Sequence, residues 1–158
     1  MLLCLVPTGV FAEGETLADV DGAVLDTAYN AAAQELDDNY GYTEYDLGAV
    51  CVGTGNNEAM RFRLWSPTAK DVKINFFTTG TDYEDGATRI GTFSLEKLNE
   101  NGIWTGVWEI TLIGNWQALY YTYSVTDTDT GNTTEITDPY SRQLSTDGKR
   151  SYTVNFDH

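Results

Sequence analysis

Residue types that could carry catalysis are scarce in this chain. Its single histidine is His158, the last residue, and its two cysteines are Cys4 and Cys51. A Ser-His-Asp or Cys-His site needs a histidine held in place by packing, and a zinc site needs three or four nitrogen or sulfur ligands. We therefore predict no catalytic residues of these kinds, no metal site and no cofactor.

Two polar segments could hold a phosphate group or an ion, but their spacing favours turns. Gly53-Thr54-Gly55 lacks the helix and the lysine that follow it in a phosphate-binding loop, so it predicts a hairpin turn. Oxygen ligands suit calcium, and Asp127, Asp129 and Asp138 lie in one polar stretch. An EF-hand loop beginning at Asp127 would need glycine at its sixth position, whereas Gly131 is the fifth residue. We predict a β-turn there rather than a calcium site.

Glycoside hydrolysis needs two carboxylates held about 5–10 Å apart, one protonated and one ionised. Most acidic residues here lie in the N-terminal segment, in a predicted helix or in turns. None of them is placed beside an aromatic residue and an arginine in an arrangement that would tune such a pair. The chain by itself is therefore predicted not to be an enzyme.

Sugar binding requires less chemistry, because flat aromatic faces beside a few hydrogen-bonding groups are sufficient. Strand phase and loop position select five candidate glucan-binding residues: Trp65, Phe77, Tyr83, Trp116 and Tyr120. For Trp65 an alternative remains, since the neighbouring arginines could cover an interface with another domain. Four other rings fall on predicted inner faces and are interpreted as core: Trp104, Trp108, Tyr121 and Tyr123.

The charge of the chain limits its partners. Twenty-four acidic and nine basic side chains give a formal net charge of −15. Such a chain repels phosphate backbones and anionic lipid headgroups, so nucleic acid and membrane surfaces are predicted not to be partners. A neutral sugar polymer meets no such repulsion. The same acidity is also typical of an ordinary soluble exported protein.

The N-terminal segment predicts export. Leu2 to Phe11 form an apolar run that ends in Val10-Phe11-Ala12, a pattern suited to signal peptidase cleavage after Ala12. A buried first strand is the alternative interpretation. We therefore expect a signal-peptide remnant over residues 1–12, an acidic leader with a short helix over 13–46, and a β-sandwich over 47–158. The expected location is extracellular, secreted or on a bacterial cell surface.

The element pattern predicts an all-β, immunoglobulin-like sandwich of seven or eight strands with one short N-terminal helix. Apolar residues recur at helical spacing over 23–39, and Gly41 supplies a stop. Beyond Gly48 the apolar period becomes two, which is typical of half-buried strands. The predicted strands cover residues 60–65, 72–77, 89–95, the segment after the 99–102 turn, 120–126, 133–137 and 151–156.

Residues 47–150 resemble the accessory β-sandwich of carbohydrate-binding module family 48 that precedes the catalytic barrel in type I pullulanases. Four segments carry the resemblance in order: LGAVC at 47–51, FRLWSPTAKDVKI at 62–74, GIWTG at 102–106 with YYTYSV at 120–125, and TDPYSRQLSTDGKRS at 137–151. Each segment alone is a strand and a turn. Their order, their spacing and the closing DPYSR and GKR make the combination specific.

The resemblance implies a non-catalytic domain of a secreted starch-debranching enzyme of glycoside hydrolase family 13. Its implied partners are an α-glucan (pullulan, starch or glycogen) and a catalytic barrel in the same polypeptide that hydrolyses α-1,6-glucosidic bonds. Glycogen-binding relatives use a tryptophan after the last hairpin and a lysine in the preceding strand, whereas this chain has Thr133-Thr134 and Tyr121-Thr122-Tyr123. The family's binding residues are therefore not carried over.

Two other functions remain open on the sequence. One is a structural module without sugar affinity, in which Trp65, Phe77 and Arg63 dock on a catalytic domain. The other is a free-standing adhesin-like sandwich in a surface protein.

Overall fold

The computed structural model describes residues 31, 33–42, 46–53 and 58–154, which separate into two compact units, Met1–Gly41 and Tyr42–His158. In the first unit, residues 31 and 33–40 are helical, and we label 33–40 as helix α1. The Gln34 side chain donates to Asp38 one turn later. The predicted helix over 23–39 is thus present in its C-terminal part, and its residues 23–30 lie outside the described part of the chain.

The second unit contains nine strands in the described residues. They are β1 (Gly48–Cys51), β2 (Ala59–Trp65), β3 (Ala69–Phe77), β4 (Arg89–Ser94), β5 (Glu96–Glu100), β6 (Ile103–Ile113), β7 (Tyr120–Asp127), β8 (Thr133–Ile136) and β9 (Ser151–Tyr152). The alternation in β2 determines its faces: Met60, Phe62 and Leu64 are buried, and the residues between them are partly exposed. Ser66 and Pro67 follow β2 as predicted.

The strands form two antiparallel sheets, which confirms the predicted sandwich. Sheet A has the order β1-β2-β6-β5, and sheet B has the order β4-β3-β7-β8, with β9 also pairing with β7. In sheet A, Leu64 lies opposite Trp108, and in sheet B, Ile74 lies opposite Tyr123. The apolar residues of each pleat therefore meet between the sheets.

Aromatic rings fill the space between the sheets. The Phe62 ring of sheet A meets Phe76 and Tyr121 of sheet B edge to face, with centroids 5.4 and 5.3 Å apart. Of the four rings predicted as core, Trp108, Tyr121 and Tyr123 are buried and Trp104 is partly buried. This packing confirms the predicted inner faces of β2, β3 and β7.

Two strands differ from the prediction. The sequence predicts a turn over 99–102 and no strand over 96–98, but Glu96–Glu100 (β5) pairs with β6 at the edge of sheet A. Its polar sequence carries no apolar alternation, so only pairing reveals it. The last strand was expected over 151–156 but ends at Tyr152 in the described residues, because Thr153 instead bonds to the Trp116–Leu119 loop. No helix among the described residues is long and apolar enough to span a membrane.

Candidate functional site

A surface groove of about 320 Å³ lies on the outer side of sheet B. Its walls come from the β3–β4 loop at residues 80–83, from Thr122 of β7, from residues 135–137 at the end of β8, and from the turn that carries Asp147, Lys149 and Arg150. We call this feature the β8 groove. Four separate segments of the chain thus converge on one polar concavity.

Beside the groove, Arg150 covers Phe77. The guanidinium carbon lies 3.8 Å from the centroid of the Phe77 ring, and both side chains are buried, at 6% exposure each. Arg150 also donates to the carbonyl of Thr79 at 2.9 Å and to the carboxylate of Asp82. The predicted outward direction of Phe77 is therefore correct, but the expectation of an exposed ring is wrong, because an arginine occupies its outer face.

Tyr83 presents an aromatic face to solvent at the mouth of the groove. The residue is 77% exposed, and its hydroxyl donates to Oδ2 of Asp147 at 3.2 Å. Asp147 is itself oriented, because its Oδ1 accepts from the Ser145 hydroxyl at 2.8 Å and from the Lys149 amide at 3.1 Å. The hydrogen bond from Ser145 is the main cause that lowers the pKa of Asp147, so this carboxylate is ionised at neutral pH.

Hydrogen-bonding groups of sheet B continue from the groove. Thr122 donates to Oε1 of Glu135 at 2.5 Å and accepts from the Asn75 amide at 3.3 Å. Asn75 is 1% exposed and also bonds to Ser124 and Thr92. An exposed ring beside oriented oxygen and nitrogen atoms is the arrangement that holds a neutral sugar.

Tyr120 lies next to the groove at Gly80. A Cβ atom on Gly80 would lie 3.2 Å from the Tyr120 ring and 3.1 Å from Cβ of Ser145, so glycine allows the loop to approach. The Tyr120 ring also packs on Tyr152 with centroids 4.8 Å apart. Three of the five predicted residues, Phe77, Tyr83 and Tyr120, thus gather around one loop.

The two predicted tryptophans lie elsewhere. The Trp116 ring packs on the rings of Phe76 and Phe93, with centroid distances of 4.9 and 5.5 Å. This loop residue is therefore partly buried against the core, and its ring is not exposed. Its indole N–H donates to the Ile113 carbonyl. Trp65 lies opposite Val107 in sheet A. The structure does not bring either ring to the groove.

One acidic residue, Asp46, corrects the expectation that no acid lies beside both aromatic and arginine side chains, and a second, Asp138, is buried beside Tyr121. Asp46 accepts hydrogen bonds from Tyr42 and from Arg61 and Arg63. Asp138 is 3% exposed and accepts from Tyr121, and burial raises its pKa to about 6. The tertiary fold makes most of these contacts, so local sequence could not reveal them. Neither residue lines the β8 groove.

The predicted turn at 127–132 is confirmed. Oδ1 of Asp127 accepts from the amides of Asp129 and Thr130 and from the Thr130 hydroxyl, a self-contained Asx turn. In the described part of the chain, no three histidine, cysteine, aspartate or glutamate residues are grouped as metal ligands would be.

Sequence reasoning missed Arg150, Asp147 and Asp82, which build the groove with Tyr83. The GKR segment was part of the family resemblance, but nothing local indicated that its arginine covers an aromatic ring. Polar residues in loops are usually solvated, and only the meeting of the two loops gives these side chains partners.

Comparison with protein-family models matches residues 46–141 to carbohydrate-binding module 48, the isoamylase N-terminal domain. A curated relative is chloroplastic pullulanase 1 of Arabidopsis thaliana, which is 30% identical over 104 residues. That match covers 63% of this chain and 10% of the relative, so the chain spans about a tenth of its length.

Solved structures of pullulanases share the fold. A mutant pullulanase of Paenibacillus barengoltzii complexed with maltotriose is 27% identical with a TM-score of 0.63, over 77% of this chain and 16% of that one. The pullulanase of Bacillus acidopullulyticus is 28% identical with a TM-score of 0.59, over 74% and 12% of the two chains. The family match covers most of the second unit, and the sandwich agrees with it. The chain therefore belongs to the carbohydrate-binding module 48 family of non-catalytic domains.

Proposed function

We propose that this chain is the accessory domain of a secreted pullulanase-type enzyme and that the β8 groove binds α-glucan. A catalytic barrel of glycoside hydrolase family 13, elsewhere in the same polypeptide, hydrolyses the α-1,6-glucosidic bonds of pullulan, starch or glycogen. The relatives named above support this assignment, because they are pullulanases and one was solved with maltotriose.

The single observation that carries sugar binding is the exposed Tyr83 ring, tethered through its hydroxyl at a polar groove. A sugar stacks its C–H face on an aromatic ring while its hydroxyl groups bond to adjacent polar atoms. The groove offers such atoms in Thr122, Glu135 and Lys149.

Affinity electrophoresis in pullulan gels and calorimetry with maltohexaose test this proposal. We expect the 158-residue chain to be retarded by pullulan, and Tyr83→Ala to weaken binding by roughly 2- to 10-fold, the worth of one aromatic contact. Ile103→Ala is the matched control, because Ile103 is 71% exposed on β6 and does not line the groove. Unchanged mobility and no heat for the wild-type chain would contradict glucan binding.

An alternative function is a structural module that packs on the catalytic domain without sugar affinity. The predicted docking set of Trp65, Phe77 and Arg63 does not support it as stated, since Phe77 lies under Arg150 and Arg63 is paired with Asp46 and Glu109. Exposed apolar residues do exist at one end of sheet A, where Ile113 is 84% exposed. Ile113→Glu would then lower the melting temperature of the full-length enzyme while leaving that of this chain unchanged.

We also propose that the protein is exported, with cleavage after Ala12. The support is the apolar run before Ala12 and the acidic composition. N-terminal sequencing of protein recovered from the culture medium tests it, and a mature chain beginning at Glu13 is the expected result. Protein retained in the cytoplasm with residues 1–12 intact would contradict export.

A further inference from the structure

We propose that Arg150 and Asp147 are positioning residues that clamp the β3–β4 loop against the 144–150 turn and thereby hold the Tyr83 ring in its binding position. This inference rests on the proposed glucan-binding function. It assigns to two residues a role that acts through Tyr83 and not through contact with the sugar.

The β3–β4 loop is closed at its base and also carries hydrogen bonds of its own farther along the loop. The Thr78 amide donates to the Thr88 carbonyl at 3.1 Å, and the Thr78 hydroxyl donates to the Gly86 carbonyl at 2.9 Å. Near the tip, Thr81 donates to Glu84 at 2.9 Å, which is a local bond. The ring of Tyr83 projects from this tip, so bonds from outside the loop are what restrict it.

Arg150 supplies the first of these bonds. Its guanidinium donates to the Thr79 carbonyl at 2.9 Å and to the Asp82 carboxylate, so it spans the loop segment just before Tyr83. The two ends of the ion pair differ in burial, because the Arg150 side chain is 8% exposed and the Asp82 side chain is 86% exposed. The buried arginine is therefore the fixed partner, and it restricts the exposed loop residue.

Arg150 is itself held in place by the Phe77 ring and by backbone hydrogen bonds to Ser145. The Phe77 ring lies 3.8 Å beneath its guanidinium carbon. The Arg150 amide donates to the Ser145 hydroxyl at 3.1 Å, and the Ser145 amide donates to the Arg150 carbonyl at 2.8 Å. A buried guanidinium that lies on a ring and has its backbone paired has little freedom, so its bonds hold the loop at a fixed position on sheet B.

Asp147 supplies the second bond from outside the loop. It accepts the Tyr83 hydroxyl at 3.2 Å and is oriented by Ser145 at 2.8 Å, the same residue that pairs with the backbone of Arg150. Both contacts therefore start from one turn; Arg150 reaches the loop segment before Tyr83, and Asp147 reaches the hydroxyl of the ring itself. Holding the ring before binding removes part of the ordering cost that a ligand would otherwise meet.

A double-mutant cycle separates positioning from direct contact. Because Asp147 is argued to act through the Tyr83 hydroxyl, Asp147→Ala and Tyr83→Phe should each weaken maltohexaose binding by roughly 3-fold, and the double variant should be no weaker than either. If Asp147 instead bonds to the sugar, the two losses multiply to roughly 10-fold, which would overturn its positioning role.

Backbone amide exchange tests the contact between Arg150 and the loop without any sugar. Arg150 is buried and its replacement could unfold the domain, so the variant is Asp82→Ala, which removes the exposed end of the pair. We expect exchange of the hydrogen-bonded Ala87 and Thr88 amides of this loop to speed up by roughly 5-fold or more and the affinity to fall by a similar factor, with the melting temperature nearly unchanged. Asp129→Ala removes the same charge from the β7–β8 turn and should alter none of these quantities.

The outcomes also distinguish this inference from the proposed function. One outcome is that the wild-type chain binds no glucan while Asp82→Ala still exchanges its loop amides faster than wild type. That result supports the clamp and contradicts glucan binding. Glucan binding that depends on the Tyr83 ring, together with unchanged exchange and affinity in Asp82→Ala, supports the proposed function and overturns the Arg150 clamp.

Discussion

The hydroxyl of Tyr121 donates a 2.7 Å hydrogen bond to Oδ2 of Asp138, and both residues are buried. Oδ1 of the same carboxylate accepts the Tyr140 amide at 2.8 Å, and the Asp138 amide donates to the Ser151 hydroxyl at 3.1 Å. One acidic residue thus ties β7, the turn after β8 and the start of β9 together. This relationship lies between the sheets, apart from the β8 groove.

Stability should decrease as the pH rises through the titration of Asp138. Burial raises its pKa from 3.8 to about 6 in the folded chain, so the folded state binds the proton more tightly than the unfolded state. This contribution, about 3 kcal/mol for a shift of about two pKa units, is fully present below pH 3.8 and is lost as the pH rises through about 6. Urea unfolding between pH 4 and pH 7 measures it.

Asp138→Asn is the reference for this measurement, because asparagine has no proton to exchange in that range. The difference in unfolding free energy between wild type and Asp138→Asn should change between pH 4 and pH 6 and level off above. Parallel profiles for the two proteins would show that Asp138 does not titrate with a raised pKa. Asp129→Asn, in the exposed turn, should follow the wild-type profile.

Two buried tyrosines should respond oppositely to loss of their hydroxyl groups. Tyr121→Phe removes the bond to Asp138 and should cost about 1.5–3 kcal/mol, the usual worth of a hydrogen bond to a charged group. The Tyr123 hydroxyl is buried with no hydrogen-bond partner among the described residues, so Tyr123→Phe should be neutral or stabilising by up to about 1 kcal/mol. Equilibrium urea unfolding compares them, and equal losses would contradict the assignment.

Gly48→Ala should destabilise the domain more than Gly102→Ala. Both glycines have left-handed backbone, with φ of 86° and 80°, so alanine is strained at either position by about 1 kcal/mol. At Gly48 the new Cβ would also lie 3.0 Å from the Tyr140 carbonyl oxygen, whereas at Gly102 it meets nothing within 4 Å. We expect a total of about 2 kcal/mol at Gly48. Thermal unfolding measures the difference, and equal shifts would refute the contact at Gly48.

Asp46→Asn should lower the free energy of unfolding, because Asp46 bonds to Tyr42, Arg61 and Arg63 on the outer face of sheet A. Although burial opposes its ionisation, hydrogen bonds from Arg63 and Tyr42 lower the pKa of Asp46, so its contribution is present above pH 3.8 and is lost as the pH falls through the lowered pKa. Removing the charge should cost roughly 1 kcal/mol at pH 7.

The matched control for Asp46→Asn is Asp71→Asn. Asp71 pairs with Lys73 at 3.6 Å, and both side chains are more than two-fifths exposed, so this loss should be within about 0.5 kcal/mol. Unfolding midpoints in low and high salt compare the two variants. An effect of Asp71→Asn as large as that of Asp46→Asn would show that the bonds of Asp46 on sheet A stabilise the fold no more than an exposed ion pair does.

The sandwich could be predicted from sequence because burial selects one face of a strand. Met60, Phe62 and Leu64 alternate with polar residues, and that period of two allows one inner face. β5 escaped prediction because Glu96–Glu100 has no such pattern and is a strand through its pairing with β6.

The groove was predictable only in part. By itself, the sequence determined the family, the inner faces of the main strands and the presence of a tyrosine in the β3–β4 loop. The tertiary structure alone decided that Arg150 covers Phe77, that Trp116 joins the core and that Asp147 meets Tyr83. The physical reason is that apolar periodicity is written within one strand, whereas a hydrogen bond or ring contact between loops depends on side chains that only folding brings within a few ångströms.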